Sequence, residues 1–195
     1  MSSNSKLSKS LFLVLSIFMG VVIIVSNYLV QFPINKFNLQ NILTYGAFSY
    51  PVVFLITDLA NRRFGKEKAR KLAYFGFTFG ILLTLFVSTN FEDIISIRIA
   101  IGSGVAFLIA QLVDIEIFQK FRNNVWFVAP IISSIFGSII DTFLFFSISF
   151  LGTGIPWVTL AFGDLFVKIL MVFLMLIPFR LLIIKIRDLK VRESF

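Results

Sequence analysis

Six apolar runs, each near the length a helix needs to cross a lipid bilayer, leave this chain few folds to choose from. They occupy about 11–32, 42–61, 72–89, 97–118, 126–151 and 158–184. A helix rises 1.5 Å per residue, so about 20 apolar residues cover the hydrocarbon layer. The connections between the runs are short, and none is large enough to fold as an extramembrane domain. With 58% hydrophobic residues and a mean hydropathy of +0.95, a soluble domain of 195 residues would have more apolar surface than it could hide. The expected fold class is all-α: an integral membrane bundle of six transmembrane helices, with 1–195 as one membrane domain.

The cations orient that bundle. With the amino terminus inside, alternation assigns fifteen of the 18 lysines and arginines to the inner side. They include Lys6, Lys9, the dense loop from Arg62 to Lys71, Lys120, Arg122, Arg180 and Lys185. Lys36 and Arg98 fall outside, and Lys168 is left within the membrane. Positive charge is retained on the cytoplasmic side, so both termini are expected there. The same distribution explains the net charge of +8 as an attraction to anionic lipid headgroups, with no nucleic-acid partner needed. The polar segment 1–10 is followed by a run too long for a typical signal core, so the first run is read as a retained span.

Several chemistries drop out. There is no cysteine and no histidine, which removes thiol nucleophiles, disulfides and the commonest metal ligand. No phosphate loop, zincin helix or nucleophile elbow is present. The chain is therefore expected to be no enzyme, with no cofactor and no metal, and any proton chemistry falls to carboxylates.

What remains is the set of polar residues inside the spans. An ionisable group at mid-membrane costs several kcal/mol, so it faces a cavity or a partner. Asp141 lies well inside the fifth run, and Ser134, Ser138 and Asp141 share one helix face, with Phe143, Phe145 and Phe146 expected to point largely elsewhere. Asp164 and Lys168 are four apart on the sixth run, the spacing of an intrahelical ion pair. A lysine that deep needs counter-charge, so an Asp141–Lys168–Asp164 cluster is the preferred floor of a site. Gln111 and Asp114 lie one turn apart on the fourth run. Asp58 is expected to meet the basic inner loop, and Glu116 to pair with Lys120. Asn27 is a candidate contact on the first run, on one stripe with Ser16, Gly20 and Gln31, although interhelical bonding would serve it equally. Tyr50 stands beside Pro51, where a loosened turn would offer a ring, a hydroxyl and a freed carbonyl.

A carboxylate, a lysine, amides and aromatic rings between helices suit a small flat polar solute such as a purine-like base. The substrate candidates are Asp141, Asp164, Lys168, Ser138, Gln111, Asp114, Asn27 and Tyr50. A weak internal echo joins the fourth and fifth runs: Gln111-x-x-Asp114-x-x-x-Phe118 matches Ser138-x-x-Asp141-x-x-x-Phe145.

The order Ser49-Tyr50-Pro51, Thr57-Asp58-Leu59, Phe64-Gly65-Lys66, Gln111-x-x-Asp114, Ala129-Pro130, Phe136-Gly137-Ser138-x-x-Asp141-Thr142 and Asp164 with Lys168 resembles the queuosine precursor transporter family. The likeness runs over about 41–182. It implies a multi-pass protein of the bacterial inner membrane that imports 7-cyano-7-deazaguanine or 7-aminomethyl-7-deazaguanine for tRNA queuosine salvage. Proton coupling through an aspartate, or downhill uptake with metabolic trapping, are both compatible with it, as is a homo-oligomer. Two alternatives stay open on the residues alone: the substrate-binding subunit of an energy-coupling vitamin importer, and a non-transporting membrane scaffold whose charges are structural.

Overall fold

A computed structural model describes residues 2–29, 32–34, 43–83, 86 and 93–192, with the side chains of 2–8, 27, 83 and 186–192 outside that description. Its helices are α1 (Ser2–Leu29), α2 (Gly46–Ser49), α3 (Pro51–Phe64), α4 (Lys66–Leu83), α5 (Ile94–Phe121), α6 (Val128–Phe150) and α7 (Trp157–Arg192). The described residues contain no strand, only one isolated bridge between Pro33 and Thr44. Four stretches are long and apolar enough to cross a membrane: Lys9–Ser26, Ile94–Phe121, Val128–Phe150 and Trp157–Lys185.

The second expected span is built differently from the others. Pro51 sits in the first turn of α3, where its missing N–H costs nothing. Tyr50 keeps helical φ and ψ of −61° and −36°, its N–H bonds to the Gly46 carbonyl and the Val53 N–H to the Tyr50 carbonyl, so the backbone stays helical from α2 into α3 and the interruption is the bond that Pro51 cannot donate. α3 alone has 14 residues, about 21 Å, which is too short to span; α2 and α3 together make up the difference. α4 carries the third span as far as Leu83, and the rest of 72–89 lies outside the described residues apart from Phe86. α7 continues past the sixth expected span, with Pro178 inside it.

The surface is apolar and the interior holds the charges. Leu13, Ile17, Phe162, Phe166 and Phe173 are exposed, whereas Asp58, Gln111, Asp114, Asp141, Asp164 and Lys168 are buried. That inversion of a water-soluble protein is what a lipid surround requires. Met19 and Ile23 of α1, Val53 and Ile56 of α3, Leu72 of α4 and Phe107 of α5 form the largest apolar cluster.

The basic segments gather at one end. Arg122 donates from Nη2 to the Arg62 carbonyl at 2.9 Å, and Arg62 donates back to the Arg122 carbonyl. Phe12 of α1 meets Phe64 edge-on, and Arg180 of α7 lies 4.9 Å from the Trp126 ring. The start of α1, the α3–α4 and α5–α6 turns and the late part of α7 therefore share a side. At the other end Arg98 donates to the Ile148 and Leu151 carbonyls, each at 2.9 Å, and so closes the last turn of α6. Lys36 lies outside the described residues. Glu116, expected to pair with Lys120, instead bridges to Lys66 at 2.7 Å and to Arg70, because α4 packs beside α5.

Candidate functional site

Lys168 projects from α7 into the middle of the bundle, where its ammonium finds three acceptors. Nζ lies 2.8 Å from Asp141 Oδ2 on α6, 2.6 Å from Asp164 Oδ2 one turn back on α7, and 3.1 Å from Thr142 Oγ1. An ammonium has three donors, so this set saturates it. Thr142 in turn donates to Asp164 Oδ2 at 2.9 Å. The fourth side of Lys168 is covered by the Tyr50 ring, 5.1 Å from Nζ to the centroid. Tyr50 stands at the helical junction of α2 and α3, one residue before Pro51. All three charged side chains are about 95% buried. With every group ionised, the cluster carries one net negative charge in a low-dielectric setting.

A small cavity opens beside it, lined by Ser26, Gly46, Tyr50, Ser103, Asp141, Phe145, Asp164 and Lys168. The expected Asp141–Lys168–Asp164 cluster is thus brought together, and Tyr50 joins it. Phe145 corrects an expectation: it lies one turn beyond Asp141 on the same face of α6 and lines the cavity, offering a ring to a flat ligand. Ser26 and Ser103 were not singled out as contacts. Their burial in α1 and α5 is a signal only once the packing of those helices is known. Ser138, one turn before Thr142, is fully buried and its hydroxyl has no partner among the described residues. The side chain of Asn27 and all of Gln31 lie outside the described residues.

Gln111 and Asp114 are not in this cavity. They face α3 nearer the basic end, where the Thr57 hydroxyl meets the Gln111 side-chain amide and Asn61 Nδ2 donates to the Ile115 carbonyl at 3.1 Å. Asp58 belongs here too, which overturns its expected contact with the basic loop. Arg62 turns away to the Arg122 carbonyl, while Asp58 accepts from Ser133 and Ser134 of α6, each at 3.3 Å. Seven residues of α6 separate Ser134 from Asp141, so the two polar centres stand about 10 Å apart along the helix.

A family profile described as "Putative vitamin uptake transporter" matches residues 44–183. A Haemophilus influenzae protein named "Probable queuosine precursor transporter" is 33% identical, over 84% of this chain and 82% of its own. The Escherichia coli "Queuosine precursor transporter" is 32% identical over 90% of this chain and 87% of its own. A Bacillus subtilis protein, also named "Probable queuosine precursor transporter", is 26% identical over 71% and 69%. No solved structure matches.

Proposed function

This chain belongs to the vitamin uptake transporter family, among relatives named queuosine precursor transporters, and from that premise we propose that it imports 7-deazaguanine bases across a bacterial inner membrane for tRNA queuosine salvage. The observation that carries the reading is the Asp141–Lys168–Asp164 cluster, a buried set of donors and acceptors beside a cavity that Tyr50 and Phe145 also line.

The chemistry of the base fits that inventory. Its N1–H and exocyclic amine are adjacent donors, matched by one carboxylate. Both ion pairs of Lys168 run through Oδ2 atoms, and a carboxylate has a second oxygen for a ligand. The ring carbonyl is an acceptor that would take the place of Thr142 Oγ1 on the ammonium. Tyr50 and Phe145 offer faces for the flat ring. The cluster's surplus negative charge also favours a ligand rich in donors.

Both termini and the Arg62–Lys71 loop lie in the cytoplasm in this reading, and the gathering of basic segments at one end supports it. The base enters from the opposite end, binds beside Lys168, and leaves past Asp114 as the bundle rearranges. The α2–α3 element, which bears Tyr50 and the missing bond at Pro51, resembles the interrupted helices on which transporters build midplane sites.

The test is uptake of labelled 7-cyano-7-deazaguanine by cells unable to make it, with and without this protein. Protein-dependent uptake that is lost in Asp141→Asn at equal membrane abundance is the expected result. Uptake requiring a co-expressed ATPase would favour the binding-subunit alternative, and uptake unchanged by Asp141→Asn would displace the site.

A further inference from the structure

Asp58 and Asp114 form a second centre that base binding does not use. Both carboxylates are buried, at 2% and 0% exposure. Thr57 meets Gln111 and Asn61 meets the Ile115 carbonyl, so the contact between α3 and α5 brings Asp58 and Asp114 to one place, each the other's charged neighbour, and Ser133 of α6 reaches Asp58 there. Asp58 has the Ser133 and Ser134 hydroxyls, but neither oxygen of Asp114 has a hydrogen-bond partner at bonding geometry. A fully buried carboxylate with two unpartnered oxygens lacks an ion, a proton or a donor.

Among the described residues the surrounding elements supply no counter-charge. From α6 come the two hydroxyls, and from α7 come Val172, Met175 and Phe179, which line a small cavity with Asp58. On α3 the nearest cation, Arg62, is bonded to the Arg122 carbonyl. Lys66 and Arg70 of α4 are taken by Glu116. No third carboxylate joins the pair among the described residues, so the set is thin for a divalent metal. Two adjacent carboxylates in an apolar setting do not both ionise; they share a proton.

We propose that the Asp58–Asp114 pair is the proton-coupling site of this protein, separate from the base-binding cavity. The inference rests on the transporter reading above. At rest the pair holds one proton and one negative charge. A second proton from the acidic side neutralises it, and its release on the other side restores the single charge; no other bond forms or breaks. Two elements link the centres. Tyr50, at the base cavity, caps the start of α3 and Asp58 follows two turns later, and α6 carries Ser134 on Asp58 and Asp141 on Lys168. A shift of α3 against α6 therefore changes both centres together.

The experiment uses the full chain in liposomes with a lumenal pH dye and 7-cyano-7-deazaguanine, which brings no ionisable amine of its own. With one proton per base, the wild type is expected to accumulate the base about tenfold per unit of inward pH difference. Adding base without a gradient should acidify the lumen. Asp58→Asn and Asp114→Asn should each reduce accumulation to simple equilibration while exchange of labelled for unlabelled base continues. Asn variants that accumulate like wild type, wild-type equilibration without accumulation, or accumulation that follows a sodium gradient would each overturn the proposal. Wild type without exchange would instead contradict the transporter reading, and the coupling role would fall with it. If the variants do not fold, the wild type still decides. Dicyclohexylcarbodiimide adds to protonated buried carboxyls, so peptide mapping should find the adduct on Asp58 or Asp114 at acid pH, declining as pH rises. No adduct there, or one only on Asp141, would refute the assignment.

Discussion

At Lys168 three donors meet three acceptors inside an apolar bundle, and that match decides what each substitution does. Lys168→Met removes the only cation in contact with Asp141 and Asp164 among the described residues and strands two buried carboxylates. Breaking a buried pair in this way costs about 3–5 kcal/mol. Thermal unfolding in detergent should show a large loss for Lys168→Met and a milder one when Asp141→Asn and Asp164→Asn accompany it. Much of this centre was legible in the sequence, because an intramembrane lysine demands acid and the Asp164–Lys168 spacing supplies some. The partners of Asp58 and Glu116 were not legible. Chain proximity pointed both to basic residues nearby, but the faces they occupy on α3 and α5 aim them at other helices. Phe145 was misjudged for the same reason, since a ring's direction matters only against a neighbour whose position is known.

At the scale of the element, α3 is the piece on which both centres depend. Its junction with α2 comes at Tyr50, with Pro51 in its first turn. Pro51→Ala restores an N–H. Its expected outcome is unfolding stability unchanged or slightly higher, with uptake reduced, because closing the missing helical bond shifts Tyr50 against Lys168. Gly137 fixes the other side of the same contact. A Cβ there would stand 2.5 Å from Phe54 Cε1, so α6 approaches α3 only because this residue has no side chain. Gly137→Ala should lower both stability and uptake, measured by detergent unfolding and by transport at matched abundance. The proline and the run of small residues marked these places in the sequence. That the backbone stays helical through Tyr50 on both sides of Pro51 was not legible, because a full break satisfies the same apolar pattern.

For the whole molecule, the length and number of the apolar runs and the skew of the cations carried the all-helical bundle. Contacts among the basic segments then brought α1, the α3–α4 and α5–α6 turns and late α7 to one side. With no native cysteine, that arrangement is open to direct labelling. Lys68→Cys should react with an impermeant maleimide only after cells are opened, and Leu151→Cys should react on intact cells. What the sequence could not give was the partition of its buried acids into two centres, since that depends on which helix pairs share a face. The weak echo between 111–118 and 138–145 aligns Asp114 with Asp141, but packing sends Asp114 to Asp58 and Asp141 to Lys168.

The claim on which the rest depends is that a 7-deazaguanine base binds beside Lys168. Equilibrium binding of labelled 7-cyano-7-deazaguanine to the purified chain tests it most directly, comparing wild type with Asp141→Asn. A hydrogen bond to a charged group contributes about 1.5–3 kcal/mol, so its loss should weaken binding about tenfold or more while unfolding shows both proteins folded. Saturable binding of equal strength in the two proteins would contradict the account.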